Sequence, residues 1–201
     1  GNPGLLAPED LAGYEVIRRR PVCFRYRGYD VCGMGPPSSG ALTIGQILGL
    51  LEHFDLATPG PRSADSWHLF VEASKLAFAD RALYMADSDF VRVPTAGLLD
   101  RAYLTYRAQL VNLDAVLPVP VAAGNPPWRA PVRRAPDLSV EQPGTSHIAI
   151  IDADGNALSM TTTIESAFGS GLMAITEDGG KKVHTGRWVS RSKYGVRRPK
   201  V

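Results

Sequence analysis

Apolar residues recur along this chain in changing rhythms, and each change marks a new element. From residue 15 to 34, β-formers alternate with polar residues on either side of Arg27-Gly28. A period of two marks a strand with one packed face, and a two-residue loop turns the pair into a hairpin. That loop pairs Tyr26 with Tyr29 and hence Cys23 with Cys32. Pro36-Pro37 then stop the strand, and Ser38-Ser39 offer a cap for a helix carrying Ile44, Ile47, Leu48 and Leu51 at helical spacing. A longer helix is predicted from Ser66 to Met85, with Trp67, Phe70, Val71, Ala77 and Phe78 as its apolar stripe and Ser74 interrupting it. A third is predicted from Ala96 to Val111. A short helical turn over residues 8–13 has Glu9 and Asp10 near its positive end.

From about 118 to 143 no rhythm survives. Pro118, Pro120, Pro126, Pro127, Pro131, Pro136 and Pro143 exclude regular structure and predict an exposed, extended connector. It reads as a plain linker, or as a segment that loosens once the chain is cut after it. Strand patterning follows over Ser146–Asp152 and Ala157–Ile164. If Ala153-Asp154-Gly155 is a three-residue loop with Gly155 left-handed, Asp152 pairs with Asn156 and Thr145 with Thr163. A two-residue Asp154-Gly155 loop would instead set Thr145 opposite Ile164. The first register is favoured because it gathers polar groups at one end of the hairpin. Helices followed by strand pairs predict an α+β chain.

Composition adds limits. Of 201 residues, 44% are hydrophobic and 21% charged, as in ordinary globular proteins, and no apolar run is long enough to predict a membrane span. The chain opens on Gly-Asn-Pro-Gly-Leu-Leu without a leader pattern, which reads like the middle of a longer polypeptide. The formal charge of +2 is uneven, because residues 179–201 hold eight basic residues and no acidic one. Two cysteines without nearby histidines make no metal cluster, and no phosphate loop occurs, so no metal or cofactor is expected. Cys23 and Cys32 read as two free buried thiols. A disulfide is the alternative, at a Cα separation of roughly 4.5 Å that is the short limit for one.

The candidate chemistry centres on Gly144-Thr145-Ser146-His147. A threonine hydroxyl becomes a useful nucleophile when an amine takes its proton, and its own α-amino group is the best placed. That amine is free only after cleavage before Thr145, and Gly144 leaves its carbonyl open to attack. Without further support, Thr145 is a solvent-facing strand residue. His147 points away from Ser146, since strand neighbours face opposite sides, and it reads as structural. His53 and His68 read as partly buried helix residues. No nucleophile elbow is present.

Several ordered segments resemble the gamma-glutamyltranspeptidase family. They are Glu9-Asp10-Leu11-Ala12 with Tyr14, Tyr26-Arg27-Gly28-Tyr29, Pro36-Pro37-Ser38-Ser39-Gly40, Phe78-Ala79-Asp80-Arg81 and Asp89-Phe90-Val91, and then Thr145-Ser146-His147, Asp154-Gly155-Asn156-Ala157 and Phe168-Gly169-Ser170-Gly171. The resemblance covers roughly residues 4–173. It implies an N-terminal-nucleophile hydrolase, a partial αββα sandwich made as a precursor that cuts itself between Gly144 and Thr145. Residues 1–144 would be the end of the large subunit, with its connector at about 118–143. Residues 145–173 would begin the small subunit, and 174–201 would be a divergent basic tail. The resemblance also implies an acyl-enzyme on Thr145, supported by the Thr163 hydroxyl. The donors would be γ-glutamyl small molecules such as glutathione, and the acceptors amino acids or water. The two chains would stay associated after cleavage, in the periplasm or outside the cell.

Glu165 stands where many members have an asparagine that contacts the substrate's α-amino group. A carboxylate there accepts an ammonium, or marks a different acyl group as in related amide acylases, or is an exposed strand-end charge. Other family site residues, including the oxyanion groups, belong outside the matched stretch. An oxyanion site is worth roughly 100-fold in rate, so the isolated chain is expected to be a poor catalyst. A competing reading is an inactive fragment whose tail, with Trp188 and Tyr194 among basic residues, binds nucleic acid or another acidic surface. Nucleic acid is the weaker partner expectation. A third is a non-catalytic fragment that folds only with a partner segment.

Overall fold

The structure, a computed structural model, describes residues 7–131, 133–136, 144–163, 173–175 and 181–183. It is α+β. The described residues fall into two compact units, one of residues 18–136 and the other of residues 7–17 together with those from 144 onward.

The first unit begins with hairpin β1 (Val22–Tyr26) and β2 (Tyr29–Gly33). Arg27 and Gly28 both have positive φ, 47° and 90°, as a tight two-residue hairpin turn requires. The register is the predicted one, and it sets Cys23 directly opposite Cys32 with Cα atoms 4.1 Å apart. The two are joined in a disulfide, which corrects the expectation of free thiols: one strand register holds both on the same face. Neither is buried, because the hairpin packs through its other face, where Phe24 closes on α2 (Gly40–Leu51). The approach is so close that a Cβ on Gly45 would lie 2.9 Å from Phe24 Cδ1 and 2.6 Å from Leu99 Cδ2. Replacing both cysteines by serine is expected to lower stability by about 2–3 kcal/mol, the loop-closure value for so short a loop. An unchanged urea midpoint in the double variant would show that the bridge adds no stability.

The core lies between α2, α3 (Ala64–Tyr84) and α5 (Arg101–Ala108), where Ile47, Leu50, Leu69, Ala73, Leu76 and Leu104 interlock. Several sequence expectations need correction here. Ile44 is exposed, while Leu42 and Leu50 are buried in its place. Ser39 occupies the cap position of α2 but makes no capping bond; its hydroxyl instead accepts from Arg81 Nε at 3.0 Å. The predicted helix over 96–111 is two pieces, α4 (Thr95–Leu98) and α5. Asp100 separates them and caps α5 by accepting from Tyr103 N at 2.9 Å.

The largest correction concerns α3. Of its predicted stripe only Ala77 is buried; Trp67, Phe70, Val71 and Phe78 are exposed, with Trp67 edge-on to Phe70. The buried face is Leu69, Glu72, Ala73, Leu76, Ala77, Asp80 and Tyr84. A hydrophobic pattern assigns Glu72 and Asp80 to solvent. Both are buried because each carboxylate oxygen meets at least one hydrogen-bond donor, the condition under which buried charge is tolerated.

Those donors come partly from the segment after α5. Glu72 accepts from Lys75 Nζ at 2.6 Å and from Leu117 N at 2.7 Å. Asp80 accepts from Gly124 N at 2.7 Å, Gln46 Nε2 at 2.8 Å and Tyr103 Oη at 2.5 Å, with Arg107 Nη2 at 3.4 Å. Arg107 also donates to Ala122 O, and Tyr84 Oη to Gly124 O. The proline-rich segment has no helix or strand among its described residues, as predicted. It is nonetheless not a plain exposed linker: residues 117–124 are pinned along α3, and Pro126 is fully buried. Residues 137–143 lie outside the described residues.

Burial favours neutral Glu72, but the Lys75 and Leu117 hydrogen bonds outweigh it and hold the carboxyl below its ordinary range. Its contribution is therefore complete above the ordinary glutamate range and is lost as pH falls through the lower folded-state value. Burial first, and Asp80 second, push the Tyr103 phenol far upward, so it stays a donor.

The second unit contains α1 (Pro8–Ala12), the hairpin β3 (Thr145–Ile151) and β4 (Ala157–Thr163), and a short pair β5 (Met173–Ile175) and β6 (Lys181–Val183). Among the described residues, the strands form three separate two-stranded ladders.

Candidate active site

The turn after β3 sets the geometry of the site. Gly155 has φ +82°, and Asp152 N donates to Asn156 O at 3.0 Å, closing the three-residue loop. Asp152 folds its carboxylate over that loop, accepting from Asp154 N at 3.0 Å, Asn156 N at 2.8 Å and Asn156 Nδ2 at 2.8 Å. The Asn156 side-chain bond is the main reason the Asp152 carboxyl lies below its usual range. An aspartate that caps its own turn in this way removes the alternative two-residue loop. Register then follows by counting, and Thr145 pairs with Thr163.

At that end of the hairpin the two threonines and Gly144 form a short relay. Thr145 Oγ1 donates to Thr163 Oγ1 at 2.9 Å, and Thr163 Oγ1 donates to Gly144 O at 3.0 Å. Thr145 is exposed, whereas Thr163 and Gly144 are half-buried. The carbonyl next to the Thr145 nitrogen thus accepts a hydroxyl hydrogen bond, and the Thr145 hydroxyl is held by that same partner. A donor at a carbonyl oxygen stabilises negative charge that develops there during attack.

His147 lies two residues along the same face. Its Nδ1 is 2.8 Å from Thr161 Oγ1 and its Nε2 3.3 Å from Ser159 Oγ. It does not pair with Ser146, which lies opposite Thr162 on the other face. Sequence reasoning did not single out Thr161 or Ser159. The signal was available: once Thr145 faces Thr163, every second residue outward shares that face, which assigns His147, Thr161 and Ser159 to one polar row. The opposite face carries Ile148, Ile150, Leu158 and Met160, all exposed.

Glu165 lies outside the described residues, as does the basic tail apart from Lys181–Val183. His53 and His68 sit on the helical unit, within reach of Thr105 Oγ1 at 3.3 Å and of Asn112 O at 2.8 Å respectively. Among the described residues no group of three or more metal-ligating side chains occurs, and no helix is long and apolar enough to cross a membrane.

The family model described as Gamma-glutamyltranspeptidase matches residues 1–177. Among curated proteins, the chain is 39% identical over 173 residues to a glutathione hydrolase proenzyme of Escherichia coli, covering 86% of this chain. It is also 39% identical over 169 residues to the acylase ACY 1 proenzyme of a Pseudomonas strain, covering 84% of this chain. In each case it spans only 28% of the relative's length. Among solved structures, the Helicobacter pylori gamma-glutamyltranspeptidase superposes with a TM-score of 0.56 at 42% identity, over 57% of this chain and 33% of that one.

Proposed function

The chain belongs to the gamma-glutamyltranspeptidase family, and on that premise we propose that it is the stretch of such an enzyme that cuts itself between Gly144 and Thr145 and then presents Thr145 as the acyl-carrying nucleophile. The observation that carries this reading is the relay from the Thr145 hydroxyl through Thr163 to the Gly144 carbonyl. The Thr145 oxygen attacks the Gly144 carbonyl carbon while Thr163 donates to the carbonyl oxygen. The acyl group moves from the Thr145 nitrogen to its oxygen, and water hydrolyses the ester. The freed α-amine then serves as the base that takes the hydroxyl proton when Thr145 attacks an amide substrate.

In this reading residues up to Gly144 close the large chain and Thr145 opens the small one. The two remain associated in an αββα sandwich of the N-terminal-nucleophile type, in the periplasm or outside the cell. The donor is a γ-glutamyl amide of the glutathione type, its acyl group passes to water or an amino acid, and Glu165 meets the substrate ammonium. Two relatives with proenzyme names, one of them a glutathione hydrolase, support this reading. The other, an acylase matched at the same 39% identity, supports a second donor class, a non-glutamyl amide.

The test is intact mass after purification and incubation, with N-terminal sequencing of any new chain. A product beginning Thr-Ser-His is expected. Thr163→Val, which removes the donor from the Gly144 carbonyl, is expected to slow its appearance by about 100-fold, the usual effect of losing one such donor. Cleavage at another bond, or a Thr163→Val rate equal to the parent's, would overturn this assignment.

A further inference from the structure

The polar row on the second hairpin holds a group that the relay does not use. Thr145, His147, Thr161 and Thr163 share one face of β3 and β4, with Ser159 next along it. Among the described residues, His147 is the one titratable side chain on that face, and it is exposed. The strand paired with β3 turns hydroxyls toward it: Thr161 Oγ1 lies 2.8 Å from Nδ1 and Ser159 Oγ 3.3 Å from Nε2. The carboxylates of the hairpin, Asp152 and Asp154, sit at the far end in the turn, where Asp152 is held by Asn156. A hydroxyl donates or accepts by rotating. The two hydroxyls therefore hold the ring in one orientation in both charge states. Neutral, it accepts at one nitrogen and donates at the other; protonated, it donates at both.

The first cut needs a proton acceptor that the relay does not supply. In the uncut chain the Thr145 nitrogen is an amide, and the α-amine that serves later does not yet exist. The one proton of the Thr163 hydroxyl is already directed at Gly144 O. We propose that His147 accepts the Thr145 hydroxyl proton during self-cleavage, through one bridging water, and returns it to the Thr145 nitrogen. This inference rests on the self-cleavage reading above and names the group that starts it. Two residues of strand span about 6.5–7 Å, too far for a direct hydrogen bond and within reach of a bridging water. The Thr145 oxygen bonds to the Gly144 carbonyl carbon as its proton passes to His147. The carbonyl electron pair moves onto the oxygen to which Thr163 donates. The bond from that carbon to the Thr145 nitrogen then breaks, and the imidazolium gives its proton to the nitrogen. An ester, a free amine and a neutral ring remain, and water hydrolyses the ester. The role of His147 ends there, because the freed α-amine lies closer to the hydroxyl than the ring does.

The experiment times the appearance of the chain beginning at Thr145, after a short pulse of cell-free synthesis of the full chain. Parent, His147→Gln and His147→Ala are compared from about pH 5 to 9. Histidine side chains ordinarily change charge between about pH 5 and 8, and the neutral ring is the acceptor. The parent rate is therefore expected to rise with pH through that window and then level off. Glutamine can hydrogen-bond to Thr161 and Ser159 but takes up no proton. His147→Gln is expected to cut about 100-fold more slowly at the plateau and to lose the levelling profile, the usual effect of removing a general base. His147→Ala is expected to be as slow and to recover about tenfold or more with added imidazole, which the exposed position admits. A His147→Gln rate equal to the parent's with the same profile would assign the proton to a shift along the relay itself. It would overturn this inference and leave the cleavage site standing. A slow His147→Ala that imidazole does not restore would make the histidine structural and overturn it as well. A parent that stays uncut would overturn both this inference and the reading beneath it.

Discussion

Thr145→Ala is expected to leave the chain as a single uncut polypeptide under conditions in which the parent separates into two. The loss should exceed about 1,000-fold in cleavage rate, because removing the attacking atom abolishes the route rather than weakening it. Losing the hydroxyl and the γ-methyl of Thr145, which is exposed, leaves the strand in place. Six further pairs from Ser146↔Thr162 to Ile151↔Ala157 hold the register, and the Asp152 turn fixes it from the far end. Failure to cut would therefore report on chemistry and not on a lost hairpin, which circular dichroism of the variant can check. Thr145→Ser separates the two roles of the residue. It keeps the oxygen that donates to Thr163 Oγ1 and is expected to cleave, more slowly, since serine lacks the β-branch that restricts χ1. Cutting of the alanine variant at the same bond and rate would mean that another group, or a contaminating protease, opens it.

How far the sequence led depends on the range of the interactions involved. Both hairpin registers could be counted from their turns, because Arg27-Gly28 and Ala153-Asp154-Gly155 constrain the chain locally. Pairing Thr145 with Thr163 needed nothing beyond that turn, and the polar row through His147, Thr161 and Ser159 follows from the same count. Helices were visible where apolar spacing was regular, but the face α3 buries was not. The aromatic stripe through Trp67 and Phe78 is the stronger signal by hydrophobicity, yet the burial of Glu72 and Asp80 turns the helix the other way. That burial depends on donors 45 and 44 residues away, Leu117 N and Gly124 N. A single-sequence reading has no means of finding such partners, and the connector looked like a linker for the same reason. The cysteine pair differs again: the turn fixes which residue faces Cys23, but nothing local in the sequence decides whether the two sulfurs are joined.

Asp80→Ala should be the most damaging single change in the helical unit. Asp80 receives Gln46 Nε2, Tyr103 Oη, Gly124 N and Arg107 Nη2, four donors from α2, α5 and the connector converging on one carboxylate. Removing it leaves the buried Arg107 guanidinium without its counter-charge, and Arg107 Nε already has no hydrogen-bond partner among the described residues. Breaking a buried ion pair from one side costs about 3–5 kcal/mol, a large fraction of the roughly 5–15 kcal/mol that holds a domain folded. Urea unfolding of Asp80→Ala should show that loss, and exchange at the Gly124 amide should accelerate beyond what global destabilisation explains. Tyr103→Phe removes a single donor and should cost only about 1–2 kcal/mol. A double variant, Asp80→Ala with Arg107→Met, should be less destabilised than the sum of the two single changes, because it no longer buries an unpaired charge. If Asp80→Ala cost less than about 1 kcal/mol, or if the pair behaved additively, the carboxylate would not be what pins the connector to α3.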